Sequence, residues 1–275
     1  MPISRQRGAF RIRGAGPGVA GLLLAGLTLI FQGSPAWSQE ANVQTVSKAE
    51  IEAAAKRRVV FAHQSVGENI LDGVRVLAKE NGVSLNIVET RQPPASGAGI
   101  FHFKVGNNGD PLGKISDFVT TVGPASFGNA DVALVKLCYV DFNQNSDATA
   151  IAKVYAGAIK KLQAAHPQTR FVATTAPLTA VPGGAKAWVK KMIGKVPPDW
   201  ADNAKRKEFN DVIRQQFDEN HLFDIARLEA ETVRTADGKD IEAMRAELTN
   251  DGGHLNERGR RVAGAAFLKL IAAQN

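Results

Sequence analysis

One serine near the start of the chain and an aspartate–histidine pair near its end are the residues best placed by type and spacing to do chemistry. Ser65 stands in the stretch Val59-Val60-Phe61-Ala62-His63-Gln64-Ser65-Val66-Gly67-Glu68-Asn69. Asp251 stands three residues before His254, in Asp251-Gly252-Gly253-His254-Leu255-Asn256. A carboxylate at that spacing, in a Gly-rich turn, can reach the imidazole, fix its tautomer and stabilise the imidazolium. A histidine held in this way is a general base, and a serine hydroxyl is the nucleophile such a base activates. The chemistry would be acyl transfer from an ester. The same residues have plainer uses. Ser65 is a good helix cap, Asp251 and Asn256 are good turn and cap residues, and His254 could be an exposed loop histidine.

The elements that must position these groups can be read from hydrophobic spacing. Val59 to Ala62 is a short apolar run, and Ile70, Leu71, Val74 and Leu77 follow Ser65 at helical spacing, which predicts strand, tight turn, helix. A serine on that turn lies at the carboxyl end of a strand, where open α/β sheets bind ligands. It also lies at a helix N-terminus, where backbone N–H groups face developing negative charge. After His254, residues Val262, Ala266, Leu268 and Ile271 predict a closing helix. Between the two ends the spacing predicts strands over Ser84 to Val88, Asp131 to Leu137, Phe171 to Thr175 and Leu222 to Ile225. Helices are expected over Ile115 to Val122, Ala148 to Ala165 and Asn203 to Phe217. Leu222 to Ile225 reads as the last strand, followed by a charged segment to Thr249. Alternating strands and helices imply a parallel sheet with helices on both faces.

Taken together, the two ends resemble the SGNH (GDSL-like) hydrolase family. That family places its serine just after the first strand and an Asp-x-x-His pair just before the last helix. The resemblance spans roughly Arg58 to Asn275 and is stronger at the C-terminal motif. It implies a three-layer α/β/α sandwich with a central, mostly parallel sheet of flavodoxin-like architecture. It also implies a catalytic triad of Ser65, Asp251 and His254. The opening motif departs from Gly-Asp-Ser, because Ala62-His63-Gln64-Ser65-Val66-Gly67 stands there.

The oxyanion hole is where the resemblance is incomplete. It implies backbone N–H groups from Ser65 and from Gly109, the latter in Val105-Gly106-Asn107-Asn108-Gly109-Asp110-Pro111. That stretch is also readable as an ordinary turn, or as a calcium loop without the EF-hand spacing. The family's third block, Gly-x-Asn-Asp, corresponds to Cys138-Tyr139-Val140-Asp141, so Val140 replaces the Asn whose amide completes the hole. Losing one such donor typically raises the barrier by about 2.7–4 kcal/mol. Asn143 and Tyr139 are the nearby substitutes, with Asn143 taken as the provisional third donor. His63 either helps bind substrate or hydrogen-bonds in the core. Trp188 and Trp200 are either sugar-stacking platforms or packing residues.

Composition bounds the rest. The chain has 275 residues and a formal net charge of +7. Four of its 34 basic residues precede Gln39, where no acidic residue stands; the remaining 30 face 27 Asp and Glu, a net of +3. No nucleic-acid partner is expected from so small an excess without a basic patch. Residues 1–38 read as a signal peptide: Arg5, Arg7, Arg11 and Arg13, an apolar run from Val19 to Phe31, then small residues before Gln39. The run is short for a membrane span, so no stable span is expected after cleavage, although retention as an anchor stays open. The organisation expected is a signal peptide over 1–38, a linker and short helix over 39–57, and a single domain over 58–275. A bacterial periplasmic or secreted location follows. Cys138, the one cysteine, cannot form an internal disulfide, and an export signal without a disulfide fits a periplasmic protein as well as a secreted one. No dinucleotide fingerprint, P-loop, HExxH or CxxC is present, so neither cofactor nor metal is expected. The expected partner is a small-molecule or polysaccharide ester, with O-acetyl polysaccharide implied by export and resemblance. A non-catalytic envelope-associated binding protein on the same scaffold, and an O-acyltransferase, are the competing functions.

Overall fold

The central strand β1 (Arg58–His63) is buried along its whole length. Its side chains alternate between two cores: Val59 and Phe61 face one, Val60 and Ala62 the other. A strand covered on both faces reads as a near-continuous apolar run, and this one does. The computed structural model describes residues 45–92, 96–124, 130–181, 198–234 and 240–273, all within one compact unit, Asn42–Asn275. The expected signal segment and Trp188 lie outside the described residues.

Parallel neighbours flank β1 on both sides, β3 (Gly99–Lys104) and β4 (Val132–Val135). With β2 (Ile87–Glu89), β5 (Arg170–Thr174) and β6 (Leu222–Phe223) they form a parallel sheet in the order β2-β3-β1-β4-β5-β6. From β1 the chain passes to the edge strand β2, returns inward to β3 beside β1, then crosses to β4 and runs outward through β5 and β6. The reversal lies beside β1, so the crevice at the carboxyl ends of β1 and β4 is the switch point where such sheets bind ligands. Helices α1 (Lys48–Ala55), α2 (Ser65–Glu80) and α7 (Glu257–Ala272) cover one face. Helices α3 (Pro111–Val122), α4 (Ala148–Ala165) and α5 (Pro198–Gln216) cover the other. The architecture is the three-layer α/β/α sandwich. No described helix is long and apolar enough to cross a membrane.

Local chemistry explains most boundaries. Ser47 and Glu50 form a reciprocal capping box that starts α1 in an otherwise Ala-rich stretch. Asp110 caps α3 with Pro111 behind it, Asp147 caps α4, and Asn256 caps α7.

Three expectations require correction. The second strand begins at Ile87, not Ser84, and β3 follows it, unanticipated, after the Pro/Gly-rich loop. Leu222 to Ile225 is not wholly strand, because Asp224 caps a short helix α6 (Ile225–Glu229). The charged segment beyond it contains an antiparallel pair, β7 (Ala230–Arg234) and β8 (Asp240–Met244).

Helices α2 and α7 come from opposite ends of the chain and meet at two glycines. A Cβ on Gly73 would lie 1.9 Å from the Arg260 carbonyl oxygen, and one on Gly264 would lie 2.7 Å from the Gly73 carbonyl carbon. Both obstacles are backbone, so neither can swing away. Gly73→Ala is therefore expected to destabilise the fold by about 1–3 kcal/mol through overpacking, measured as a lowered denaturant midpoint at unchanged slope. An unchanged midpoint would show that the helices separate freely at this crossing.

Candidate active site

Ser65 is the first residue of α2. Gln64 occupies the N-cap with extended backbone and makes no side-chain capping bond, so Ser65 is not the cap of this helix. Instead, the Gln64 side chain reaches across to β3's exit, its Nε2 donating to the carbonyls of Val105 and Gly106, each at 2.9 Å. Among the described residues neither the Ser65 amide nor its Oγ has a hydrogen-bond partner. The half-buried hydroxyl thus sits free at a helix N-terminus, where the dipole favours negative charge.

The loop before α7 holds the second half. Asp251 Oδ2 lies 2.7 Å from His254 Nδ1, while Oδ1 accepts the amides of Gly253 at 2.9 Å and His254 at 2.8 Å. Those amides, and then the imidazole, hold the Asp251 carboxyl far below the usual carboxylate range. An ionised carboxylate can only accept, so His254 Nδ1 carries the proton and Nε2 is left as the basic nitrogen. Gly252 takes φ of 91°, a conformation open to glycine. Gly253 lies so close to Tyr139 that a Cβ would stand 2.8 Å from the phenolic oxygen. The loop is tied to α2 by the Leu255 amide, which donates to Asn69 Oδ1 at 3.1 Å. Asn69 is one helical turn after Ser65, so this bond brings the dyad's loop to the serine's turn.

The expected oxyanion donors fare differently. The Gly109 N–H donates to Asp141 Oδ1 at 2.8 Å, so in this structure it is engaged by a carboxylate. Asp141 also accepts the Cys138 amide at 2.6 Å and Lys114 Nζ at 2.8 Å on both oxygens. Both side chains of this ion pair are fully buried. Asn143 is exposed, and its Oδ1 accepts the Asn145 amide in a local turn. Val140 is exposed as well. Tyr139 is the third-block residue beside the dyad, edge-on to His254 at 5.8 Å between ring centroids.

His63 is not a substrate contact: it is fully buried. Its Nδ1 lies 3.0 Å from the Gln64 carbonyl and its Nε2 3.0 Å from His102 Nδ1. Burial pushes His63 down to about 3 and lowers His102 as well, so both rings are neutral near neutral pH. Sequence reading missed His102 because its strand was missed. With Glu68 these histidines form the one group among the described residues whose ligand atoms converge, within 4.8 Å. The Glu68 carboxylate is engaged by Arg75 at 2.8 Å and Lys104 at 3.1 Å. Burial opposes its ionisation, but these two partners outweigh it and lower it to about 2. Two side-chain cations therefore already balance the carboxylate.

The other wall comes from the exit of β5. Asn210 brackets Ala176, Asn203 brackets Thr179, and the Glu229 Oε2 accepts the Leu178 amide at 2.9 Å. Arg206 donates to the Tyr139 carbonyl and Thr179 Oγ1. The Ala180 amide then donates to the Gly252 carbonyl at 2.8 Å. Between these lies a cavity of about 380 Å³, lined by Tyr139, Thr179, Ala180, Val181 and Asp251 to Gly253. Trp200 is partly buried in the first turn of α5 and does not line it.

No protein-family model matches the sequence, and no curated protein matches it. Solved structures similar to it include a Streptococcus pneumonia protein described as a platelet activating factor, at 13% identity and TM-score 0.44. It covers 82% of this chain and 89% of its own. A Desulfitobacterium hafniense protein described as lipolytic and of the G-D-S-L family matches at 11% identity and TM-score 0.43, over 77% of this chain and 98% of its own. The periplasmic domain of a Salmonella ser. Paratyphi A lipopolysaccharide acetyltransferase matches at 14% identity and TM-score 0.43, over 76% and 81%. At these identities the likeness concerns the course of the chain, not its side chains.

Two outcomes follow from the buried charges. Lys114→Met leaves Asp141 buried without its counter-charge, and is expected to lower unfolding free energy by about 3–5 kcal/mol in chemical denaturation. A loss below 1 kcal/mol would mean that water reaches the carboxylate. Burial raises Glu229 from 4.5 to about 8. Between those values the unfolded chain has released this proton and the folded chain keeps it, so stability declines as pH rises through that window. Glu229→Gln removes this contribution. Its melting temperature relative to wild type should therefore rise from pH 5 to pH 9, and a constant difference would refute the assignment.

Proposed function

We propose that the protein is an exported serine ester hydrolase in which Ser65 is the nucleophile, His254 the general base and Asp251 the residue that orients it. The observation that carries this reading is the Asp251–His254 pair, its tautomer set by a 2.7 Å bond and its loop fastened to the serine's helix through Leu255 and Asn69. Ser65 Oγ attacks the ester carbonyl while His254 Nε2 takes its proton. Asp251 stabilises the imidazolium, and the Ser65 N–H faces the oxyanion. His254 returns the proton to the departing alkoxide, and water, activated by the same nitrogen, releases the acid. The basic and then apolar segment 1–38 supports export to the periplasm or beyond. A cavity of about 380 Å³ borders the Asp251 side of the dyad, and O-acetyl esters on polysaccharide are the proposed natural substrates.

A second reading, a non-catalytic envelope-associated binding protein, is favoured by a specific observation. Gly109's amide is bonded to Asp141, Val140 has no donor, and Asn143 is turned to Asn145. The hole is thereby reduced to the Ser65 amide.

The two are separated by following p-nitrophenol release from p-nitrophenyl acetate. Wild type is expected to turn over, and Ser65→Ala and His254→Ala to lose on the order of 10³-fold or more while melting normally. Asp251→Asn should also lose on the order of 10³-fold or more, because with Oδ1 accepting the two loop amides its NH2 must donate to His254 Nδ1, which leaves the imidazole proton on Nε2. A folded wild type that matches buffer on this ester and on acetylated polysaccharide would overturn the hydrolase reading and leave binding. Acetyl transfer to a sugar acceptor exceeding hydrolysis would assign a transferase.

A further inference from the structure

Two histidines outside the triad are joined in a one-way chain that ends on the serine's own peptide. The Gln64 carbonyl oxygen can only accept, so the proton on its contact with His63 belongs to Nδ1. A neutral His63 then has a bare Nε2, and the contact with His102 at 3.0 Å requires His102 Nδ1 to be the donor. The direction is thus His102 to His63 to the Gln64 carbonyl. The same carbonyl accepts the Gly67 amide at 2.7 Å. A peptide unit is planar and trans, so its carbonyl and its N–H point to opposite sides. Two donors that fix the Gln64 carbonyl therefore also fix where the Ser65 N–H points. That N–H has no partner among the described residues.

The sequence makes room for this arrangement at one position. A Cβ on Gly67 would lie 2.3 Å from His63 Cβ and Cγ, so the imidazole fits beneath the first turn of α2 only because residue 67 is glycine. The ring is held from its other side by Phe61, at 4.7 Å between centroids.

We propose that His63 is a positioning residue for the acyl-transfer reaction: its Nδ1–H holds the Gln64–Ser65 peptide so that the Ser65 amide is presented to the oxyanion, and His102 fixes the tautomer that permits this. The proposal rests on the ester-hydrolase reading. With the other family-type donors engaged elsewhere, the orientation of this one amide carries the hole.

The test uses the full chain with three substitutions. His63→Leu removes the donor at similar size. His63→Asn restores one, since its amide nitrogen stands two bonds from Cβ, as Nδ1 does. His102→Phe leaves the His63 tautomer unfixed. On p-nitrophenyl acetate, His63→Leu is expected to lower kcat on the order of 10–100-fold, less than outright loss of an oxyanion donor, with KM within about threefold of wild type. His63→Asn should recover most of that kcat at the same melting temperature as His63→Leu, a split that a merely structural role would not give. His102→Phe should fall between wild type and His63→Leu, and it carries the kinetic test should His63→Leu fail to fold. Equal kcat for His63→Leu and His63→Asn, or wild-type kcat in His63→Leu or His102→Phe, would overturn the proposal while leaving the hydrolase standing. A wild type that neither hydrolyses esters nor is labelled at Ser65 by a fluorophosphonate would overturn both. Long-range proton–nitrogen correlation spectra report the tautomers independently of activity: Nδ1-protonated His63 and His102 are expected, and an Nε2-protonated His63 refutes the chain.

Discussion

The contact on which the rest of this structure depends is the crossing of α2 and α7. The proposed nucleophile opens the first of these helices, and the proposed base precedes the second, with 188 residues between Ser65 and His254. Only a close, registered meeting of the two helices brings such distant groups to one corner. Gly73 and Gly264 let the backbones touch, and close packing makes that approach a fixed distance, not a range. Leu255 and Asn69 then repeat the alignment at the site itself. A one-turn slip between the helices would move the base by about 5.4 Å along the axis, far more than a proton transfer tolerates.

Around that crossing, the carboxyl edge of the sheet is unusually rich in buried polar groups. Lys114, Asp141, Lys136, Arg206, Glu229, His63 and His102 are all buried there. His63 and His102 are neutral and Glu229 keeps its proton near neutral pH; polar groups removed from water are destabilising unless matched, and a buried ion pair contributes little net stability against an apolar replacement of the same shape. Their presence is therefore poorly explained by stability alone. What they share is geometry: Asp141 shapes the Gly109 loop and the Tyr139 turn, Glu229 and Asn203 shape the exit of β5, and His63 shapes the serine's peptide. Each fixes backbone that borders the crevice.

Much of this was legible in the sequence because it rests on local rules. The run Val59 to Ala62 followed by helical spacing specified strand, turn and helix, and α4 kept its Ala148–Ala165 bounds because Asp147 caps it and Pro167 follows. The Asp251–His254 contact was readable from its spacing in a Gly-rich turn. What escaped depended on distant partners. Gly99–Lys104 has a glycine start and a histidine in its middle, and it becomes a strand because β1 and β2 pair with it on both sides. Ala230–Arg234 is largely exposed, and its strand character comes from Asp240–Met244. His63 was ambiguous for the same reason, since its one side-chain partner, His102, lay in the unread strand. The engagement of Gly109 escaped the sequence because nothing local reveals that Asp141, 32 residues on, would take its amide.

That last exchange bears directly on the proposed ester hydrolysis. An amide bonded to a buried, lysine-paired carboxylate is not readily released, because breaking the bond would leave part of the Asp141 charge unmet in a low-dielectric setting. Reaction of a bound ester is thus a poor source of the energy needed to recruit Gly109. In the proposed reaction the oxyanion would be met by what is already oriented, the Ser65 amide at the positive end of α2. Preorganised donors act without reorganisation at the moment of reaction, so their value depends on how rigidly they are held. In this protein the rigidity comes from both sides of one peptide: the Gln64 side chain is bonded to the β3 exit, and the Gln64 carbonyl is bonded by His63 and Gly67. The unusual His63-Gln64-Ser65-Val66-Gly67 sequence is then the counterpart of the missing donor at Val140. A hole with fewer donors needs the remaining one fixed more firmly, and each of the two flanking residues, His63 and Gly67, has a physical part in fixing it.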